Sequence, residues 1–332
     1  MEIEFSGLNC HPLIISKENT HTEVNPEFED ITANFLGGSI KIASAASAQG
    51  SQSYNISGDV SANFLKGYFA NDSAIQAFPI LQALSGVAKY DGMISFNKGN
   101  SETNLKIDMR DWGSAAPAPA KKQIGTAMSG QLNLKTFAKT KTTPSRLSWD
   151  GKIGDTYFIQ GELASDDTLR HAVGIGTPAI PPQQGFQLNL VSNELNLDIW
   201  QEFLSQQNRK KTANSSSSND VNSIQVSAQV KQLTLFDRVW QDLNVAATNK
   251  NSAWQLRLRG SPQVAGNLQY QPAQFQASSL LSGRLVRLKV PEAIITPPLP
   301  AKQAPKNPAS KNTIDPGSIP SIDLTIDDFD WK

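Results

Sequence analysis

From Ala253 to Gly260 the chain reads Ala-Trp-Gln-Leu-Arg-Leu-Arg-Gly, an unbroken alternation of apolar and polar side chains. A period of two sends successive side chains to opposite faces of an extended strand, so Trp254, Leu256 and Leu258 share one face and Gln255, Arg257 and Arg259 the other. Gln241 to Ala246 precede this strand and end in a polar turn, Thr248 to Ser252. Gly260-Ser261-Pro262 then leads into Val264 to Tyr270. Apolar-polar alternation broken by polar and glycine-proline turns predicts a meander of antiparallel strands.

The same pattern fills most of the chain. It occurs at Ile31, Ala33 and Phe35, at Ile40 and Ile42 after a Gly37-Gly38 turn, at Tyr54, Ile56, Gly58 and Val60, and at Ile94 and Phe96. It continues in Leu105, Ile107 and Met109 against Lys106, Asp108 and Arg110, in Leu132 and Leu134, in Leu147 and Trp149, and in Leu188 and Leu190, and Leu285, Val286, Leu288 and Val290 form another strand. The strands are not separated by the long helices that parallel βαβ units require, so the fold class is all-β with a few short helices. Those helices are expected near 63–84, interrupted by Pro79, and near 198–206, with Asp198 as N-cap. The expected organisation is a first β segment over 1–207, a Ser/Asn-rich linker at 208–222, and a β-meander at 223–290. A proline-rich linker or insertion at 291–320 follows, and then a further strand at 321–332, expected to be cut short by truncation.

The 332-residue chain balances 30 Lys and Arg against 30 Asp and Glu, so no overall field argues for a nucleic-acid partner. The single cysteine, Cys10, rules out an internal disulfide and a multi-cysteine metal site. Cys10 and His11 are neighbours, and neighbours in an extended chain point to opposite faces, which argues against a nucleophile and base. Gly174-Ile175-Gly176 lacks the third glycine of a dinucleotide loop, and Asp327-Asp328-Phe329-Asp330 lacks the glycine and later glutamate of a calcium loop. No Walker loop, His-Glu-x-x-His or Gly-x-Ser-x-Gly is present. These features predict no enzyme, no cofactor and no metal. The apolar runs are too short to cross a bilayer and Met1-Glu2-Ile3-Glu4 does not begin a signal peptide, so a cytoplasmic protein or an internal piece of a longer one is expected. The apolar face is open to two readings: a dry core against a second sheet, or the lining of a long groove.

Several stretches in order resemble the AsmA-like superfamily, and within it the YhdP-type proteins of Gram-negative bacteria. They are Ile319 to Phe329 with its Asp-Asp-Phe ending, Trp240-Gln241-Asp242-Leu243, Ala253 to Leu256 followed by Val264 to Leu268, Leu195 to Trp200, and Asp108 to Trp112 running into Pro117-Ala118-Pro119. The resemblance covers most of residues 27–332. It implies an elongated, curled antiparallel sheet, a repeating β-groove with an apolar concave face. It further implies a non-enzymatic segment of a bridge-like lipid transport protein in the periplasm. The parent would be anchored in the inner membrane by an amino-terminal helix missing here, with an unidentified partner at the outer-membrane side. The partners expected on this reading are phospholipid acyl chains. The residues expected to contact them are Leu105, Ile107, Met109, Leu132, Leu134, Leu188, Leu190, Trp254, Leu256, Leu258, Leu268 and Tyr270. The competing expectation is a structural β-rich scaffold or surface repeat with a closed core and no ligand.

Overall fold

A computed structural model describes residues 31–46, 51–68, 79–166, 168–209, 223–250, 253–273, 278–294 and 320–331. Among these, strands dominate and the three helices are short, as the alternation requires. The chain divides into two compact units. The first comprises residues up to Ala116, Ala120–Gly154 and Glu162–Asp167; the second comprises Pro117–Pro119, Asp155–Gly161 and Thr168 onward.

In the first unit the strands are β1 (Ile31–Phe35), β2 (Gly38–Ala45), β3 (Gln52–Ser61), β4 (Leu84–Asn97), β5 (Asn100–Asp108), β6 (Trp112–Ser114), β7 (Ser129–Phe137) and β8 (Arg146–Ile153). Each long strand pairs antiparallel with the next, and β5 pairs with β7 because the short β6 turns back onto the start of β4. Helix α1 (Ala62–Tyr68) follows β3 directly, and α2 (Pro79–Ala83) runs straight into β4. Proline at the first position of α2 is favourable, since the first-turn amide it lacks would have had no partner within the helix. At this end Ala62, Ala88 and Trp112 form a buried cluster, joined by Val60, Leu65, Leu84, Ile107 and Met109.

The second unit contains β10 (Leu169–Ile175), β11 (Gly185–Asn196), β12 (Ile224–Leu235), β13 (Arg238–Lys250), β14 (Ala253–Arg259), β15 (Val264–Gln271), β16 (Leu280–Val290), β17 (Ser321–Ile326) and β18 (Phe329–Trp331). Strand β9 (Tyr157–Ala164) adds to β10. The β12 to β16 run is the antiparallel meander that the alternation predicts. Two departures from that expectation stand out. Strands β10, β11 and β12 are parallel neighbours, and helix α3 (Leu197–Arg209) leaves the end of β11 on the way to β12. Parallel neighbours need such a crossover, which the expected short helix supplies. The last segment, expected as a further strand, pairs upstream: β17 and β18 lie parallel to β16. Their turn is tied by charge, because the Arg284 guanidinium donates to the Asp327 carboxylate at 3.0–3.2 Å and Lys289 lies 3.5 Å from Asp328. Neither ladder closes among the described residues, since β1, β17 and β18 each have a strand partner on one side only.

Asp198 is not the N-cap of α3. The Asn196 side chain fills that role, accepting from the Ile199 amide at 3.0 Å. The Asp198 carboxylate instead accepts the Phe236 and Asp237 amides at 2.8 and 2.9 Å, holding the β12–β13 turn. Both turn residues have positive φ, 56° and 53°, which explains why an outside acceptor is useful there. Beyond the meander, the register of β15 on β16 slips between Ala265 and Gly266. Gly266 and Gly283 have φ near 150°, and a Cβ on either would stand 2.3 Å from a carbonyl oxygen of the neighbouring strand. Only glycine allows that close approach.

Of the expected linkers, residues 210–222 and 295–319 lie outside the described residues. The proline loop belongs to the second unit. There the Trp200 indole donates to the Ala118 carbonyl at 2.8 Å and the Tyr157 hydroxyl donates to that of Pro119.

Candidate functional site: one apolar face in each unit

Because pairing register fixes which side chains share a face, the strand ladders can be read across as rungs. In the first unit one rung runs Ile31, Ile42, Ile56, Gly92, Leu105, Leu132 and Gly151 from strand to strand. The next rung toward the helices carries Ala33, Ile40, Gly58, Tyr90, Ile107, Gly130 and Ile153. On the other side lies a rung of Tyr54, Ile94, Thr103, Leu134 and Trp149. The opposite face is wet: Lys41, Ser57, Asp91, Lys106, Gln131 and Lys152 align across the same strands.

The second unit repeats this layout. Its central rung is Val173, Leu188, Val226, Ala247, Leu256, Leu268, Gly283 and Leu324. Toward α3 comes Ile175, Leu190, Ala228, Val245, Leu258, Gly266, Leu285 and Ile326. Away from α3 comes His171, Phe186, Ile224, Asn249, Trp254, Tyr270, Leu281 and Ile322. Arg257 and Arg259 project from the other face and are exposed.

Burial grades along the strands. At the α3 end Leu190, Val230, Leu233, Leu243, Val264 and Leu285 form a buried cluster, with Leu285 3% exposed. The central rungs are only half-buried: Leu105, Leu132, Leu188, Leu256 and Leu268 all keep part of their surface open. Among the described residues no large side chain is fully buried.

Two open concavities lie on the polar faces. One, of about 650 Å³, is lined by Lys41, Asn55, Asp91, Asn104 and Lys106, and the other, of about 520 Å³, by Thr248, Gln255, Arg257, Asn267 and Arg284.

The register brings together most of the side chains singled out by alternation. Leu105 faces Leu132, Leu256 faces Leu268, and Trp254 faces Tyr270. Leu188 shares the rung of Leu256, while Leu190 and Leu258 share the one nearer α3. Ile107 lies in the helix-side rung and Leu134 in the far one. Met109 does not continue the central lane, because β5 ends at Asp108 and Met109 packs against the helix-end cluster. Missing from the sequence reading were Val226, Ala228 and Val230 on β12, whose alternation was legible but lay beside the Ser/Asn-rich stretch. Asn249 was missed too, because the expected turn at 248–252 is strand through Lys250.

Titratable groups on the faces are few. Burial, with the Asp59 carboxylate adding to it, pushes the Tyr90 phenol above its usual 10, so it stays protonated; its hydroxyl is buried without a partner and its ring occupies the space above Gly58. His171 packs 5.0 Å from the Phe186 ring, and burial lowers its pKa from the usual 6.5. The folded state therefore keeps the imidazole neutral, and as pH falls the unfolded chain takes up the proton first. Stability from this group is present above pH 6.5 and is lost as pH falls below it, toward the folded pKa. Melting temperature should thus drop more steeply for wild type than for His171→Phe between about pH 7 and about pH 5. Parallel slopes would contradict the assignment. Among the described residues no group of three or more His, Cys, Asp or Glu could hold a metal ion, and no helix is long and apolar enough to cross a membrane.

No curated protein and no solved structure matches the chain. The family model described as YhdP protein matches residues 18–332, almost the full length. The chain belongs to the YhdP protein family.

Proposed function

We propose that the chain is a non-enzymatic segment of a lipid-conduit protein, in which the apolar faces shield phospholipid acyl chains while they pass between the two membranes of the envelope. Family membership supports the coarse statement, a lipid-transport-related protein of the cell envelope, in a family not known for catalysis. The observation that carries the finer one is the half-exposed state of the central rungs in both units. A face lined by Ile56, Leu105 and Leu132, or by Leu188, Leu256 and Leu268, leaves apolar surface in contact with water unless something covers it.

An acyl chain is a suitable cover. Sixteen carbons exposed to water cost on the order of 13 kcal/mol at ~0.8 kcal/mol per methylene, which makes unassisted transit slow. Rungs without polar interruption remove that barrier by letting the chain slide over surface of nearly constant free energy. On this reading the twelve side chains named from the sequence belong to the lining, with Met109 at its helix-side margin. The polar faces stay in water, the compartment is the periplasm, and a part of the parent protein outside this chain reaches the inner membrane.

Purified from membranes in mild detergent and exchanged into buffer, the protein should retain phospholipid detectable by mass spectrometry. Retention of none, with the central rungs protected from apolar dyes, would favour a closed scaffold instead.

A further inference from the structure

The polar face of the second unit has an organisation of its own. Its concavity of about 520 Å³ lies across β13 to β16 on the side that bears Arg257. Register arranges the lining in two rows. One runs Arg257, Asn267 and Arg284 over β14, β15 and β16; the other runs Thr248, Gln255, Gln269 and Ser282 from β13 to β16. No carboxylate and no aromatic ring belongs to this lining. The two arginines differ. Arg284 is held by the Asp327 carboxylate at 3.0–3.2 Å, which neutralises its charge and fixes its guanidinium. Arg257 is exposed and forms no ion pair among the described residues. The concavity of the first unit is unlike this one, because its register sets Asp91 directly beside Lys106, and an anion there would meet a carboxylate.

Strands β13, β14 and β15 each have a partner on both sides, so their backbone groups are committed to the ladder and only side chains meet a ligand. A peptide could not add here as a further strand. Nor is there a ring on which a nucleic-acid base could stack. Carboxamides and hydroxyls both donate and accept hydrogen bonds, as sugar hydroxyls do, and a guanidinium pairs with a carboxylate through two parallel bonds. We propose that this concavity binds an acidic polysaccharide, with Arg257 taking a sugar carboxylate and the row of Gln255 and Gln269 taking ring hydroxyls. The site lies on the opposite side of the sheet from the apolar rungs and does not rest on the lipid reading. A glycolipid seated here would have to lay its tails on a polar face, so the occupant is a free glycan chain.

Calorimetric titration of the full chain tests this with soluble probes of equal length: tetragalacturonate, neutral maltotetraose and tetraglutamate. Tetragalacturonate should bind about tenfold more tightly than either of the others. Arg257→Gln should weaken the uronate about tenfold and leave maltotetraose unchanged. Arg259→Gln removes the same charge from the same face, two residues along β14 and outside the lining, and should leave both sugars unchanged. Gln255→Ala should weaken both sugars about threefold. These side chains are exposed, so melting should not move. Absence of tetragalacturonate binding, or equal weakening by Arg257→Gln and Arg259→Gln, overturns the site. Tetraglutamate binding as tightly as tetragalacturonate overturns the glycan as occupant in favour of an acidic peptide.

Discussion

Leu256→Glu should strip the second unit of bound lipid while leaving its fold in place. Leu256 sits in the central rung between Ala247 and Leu268, and it is half-buried. If the face is open, a glutamate there can turn its carboxylate to water, and the β13–β14–β15 ladder keeps its register. A lipid tail crossing that rung loses the leucine contact, worth about 2 kcal/mol, and meets a charge as well, so lipid retention should fall on the order of thirtyfold or more. Arg257→Glu, one residue away on the other face, should leave retention unchanged. The pair also separates the two readings of the fold. Against a dry second layer the same carboxylate would be buried without a partner, and the unit would unfold, because such a group costs several kcal/mol. The checks are lipid content by mass spectrometry and melting by circular dichroism: lost lipid with retained melting is the expected result, lost melting the contrary one.

Trp112→Ala should be the most costly change to the first unit. Trp112 is 7% exposed and packs with Ala62 and Ala88 where α1, α2 and β6 meet the end of the sheet. Truncation to alanine removes the largest side chain of this cluster and leaves a cavity among Ala62, Ala88 and their neighbours, so the loss should be about 3–5 kcal/mol. The effect should be local. Amide exchange in β3, β4 and β5 should speed up markedly, with α1 melting first. Unchanged protection in those strands would show that the cluster does not anchor the helix end.

Much of the sheet was legible because the period-two signal is strong where one face is greasy and the other charged. Leu105-Lys106-Ile107-Asp108 and Leu256-Arg257-Leu258-Arg259 each fix strand and face without help. Pairing was not legible, because alternation says which side a residue takes and not which strand lies beside it. Hence β10–β11–β12 and β16–β17 came out parallel where antiparallel neighbours were expected, and the strand at Ser321 found its partner upstream. The N-cap of α3 went to Asn196 for a similar reason. Asp198 is equally suited to the local role, but a more distant need, the two strained amides at Phe236 and Asp237, takes its carboxylate. One stretch of the face was hidden by Thr248-Asn249-Lys250, which has turn composition yet continues β13. The Asp327-Asp328 pair, dismissed as a calcium loop, proves to tie β17 and β18 to β16 through Arg284 and Lys289. Those pairs are exposed, so each adds at most about 1 kcal/mol and sets register more than strength.

The central claim is that the face bearing Leu256 meets lipid and the face bearing Arg257 meets water. A genetically encoded photo-crosslinker at each of these two positions, illuminated in cells and read by mass spectrometry, tests it in one step. Capture of phospholipid from position 256 with none from 257 is the predicted outcome. Equal capture at both, or none at 256, would contradict it.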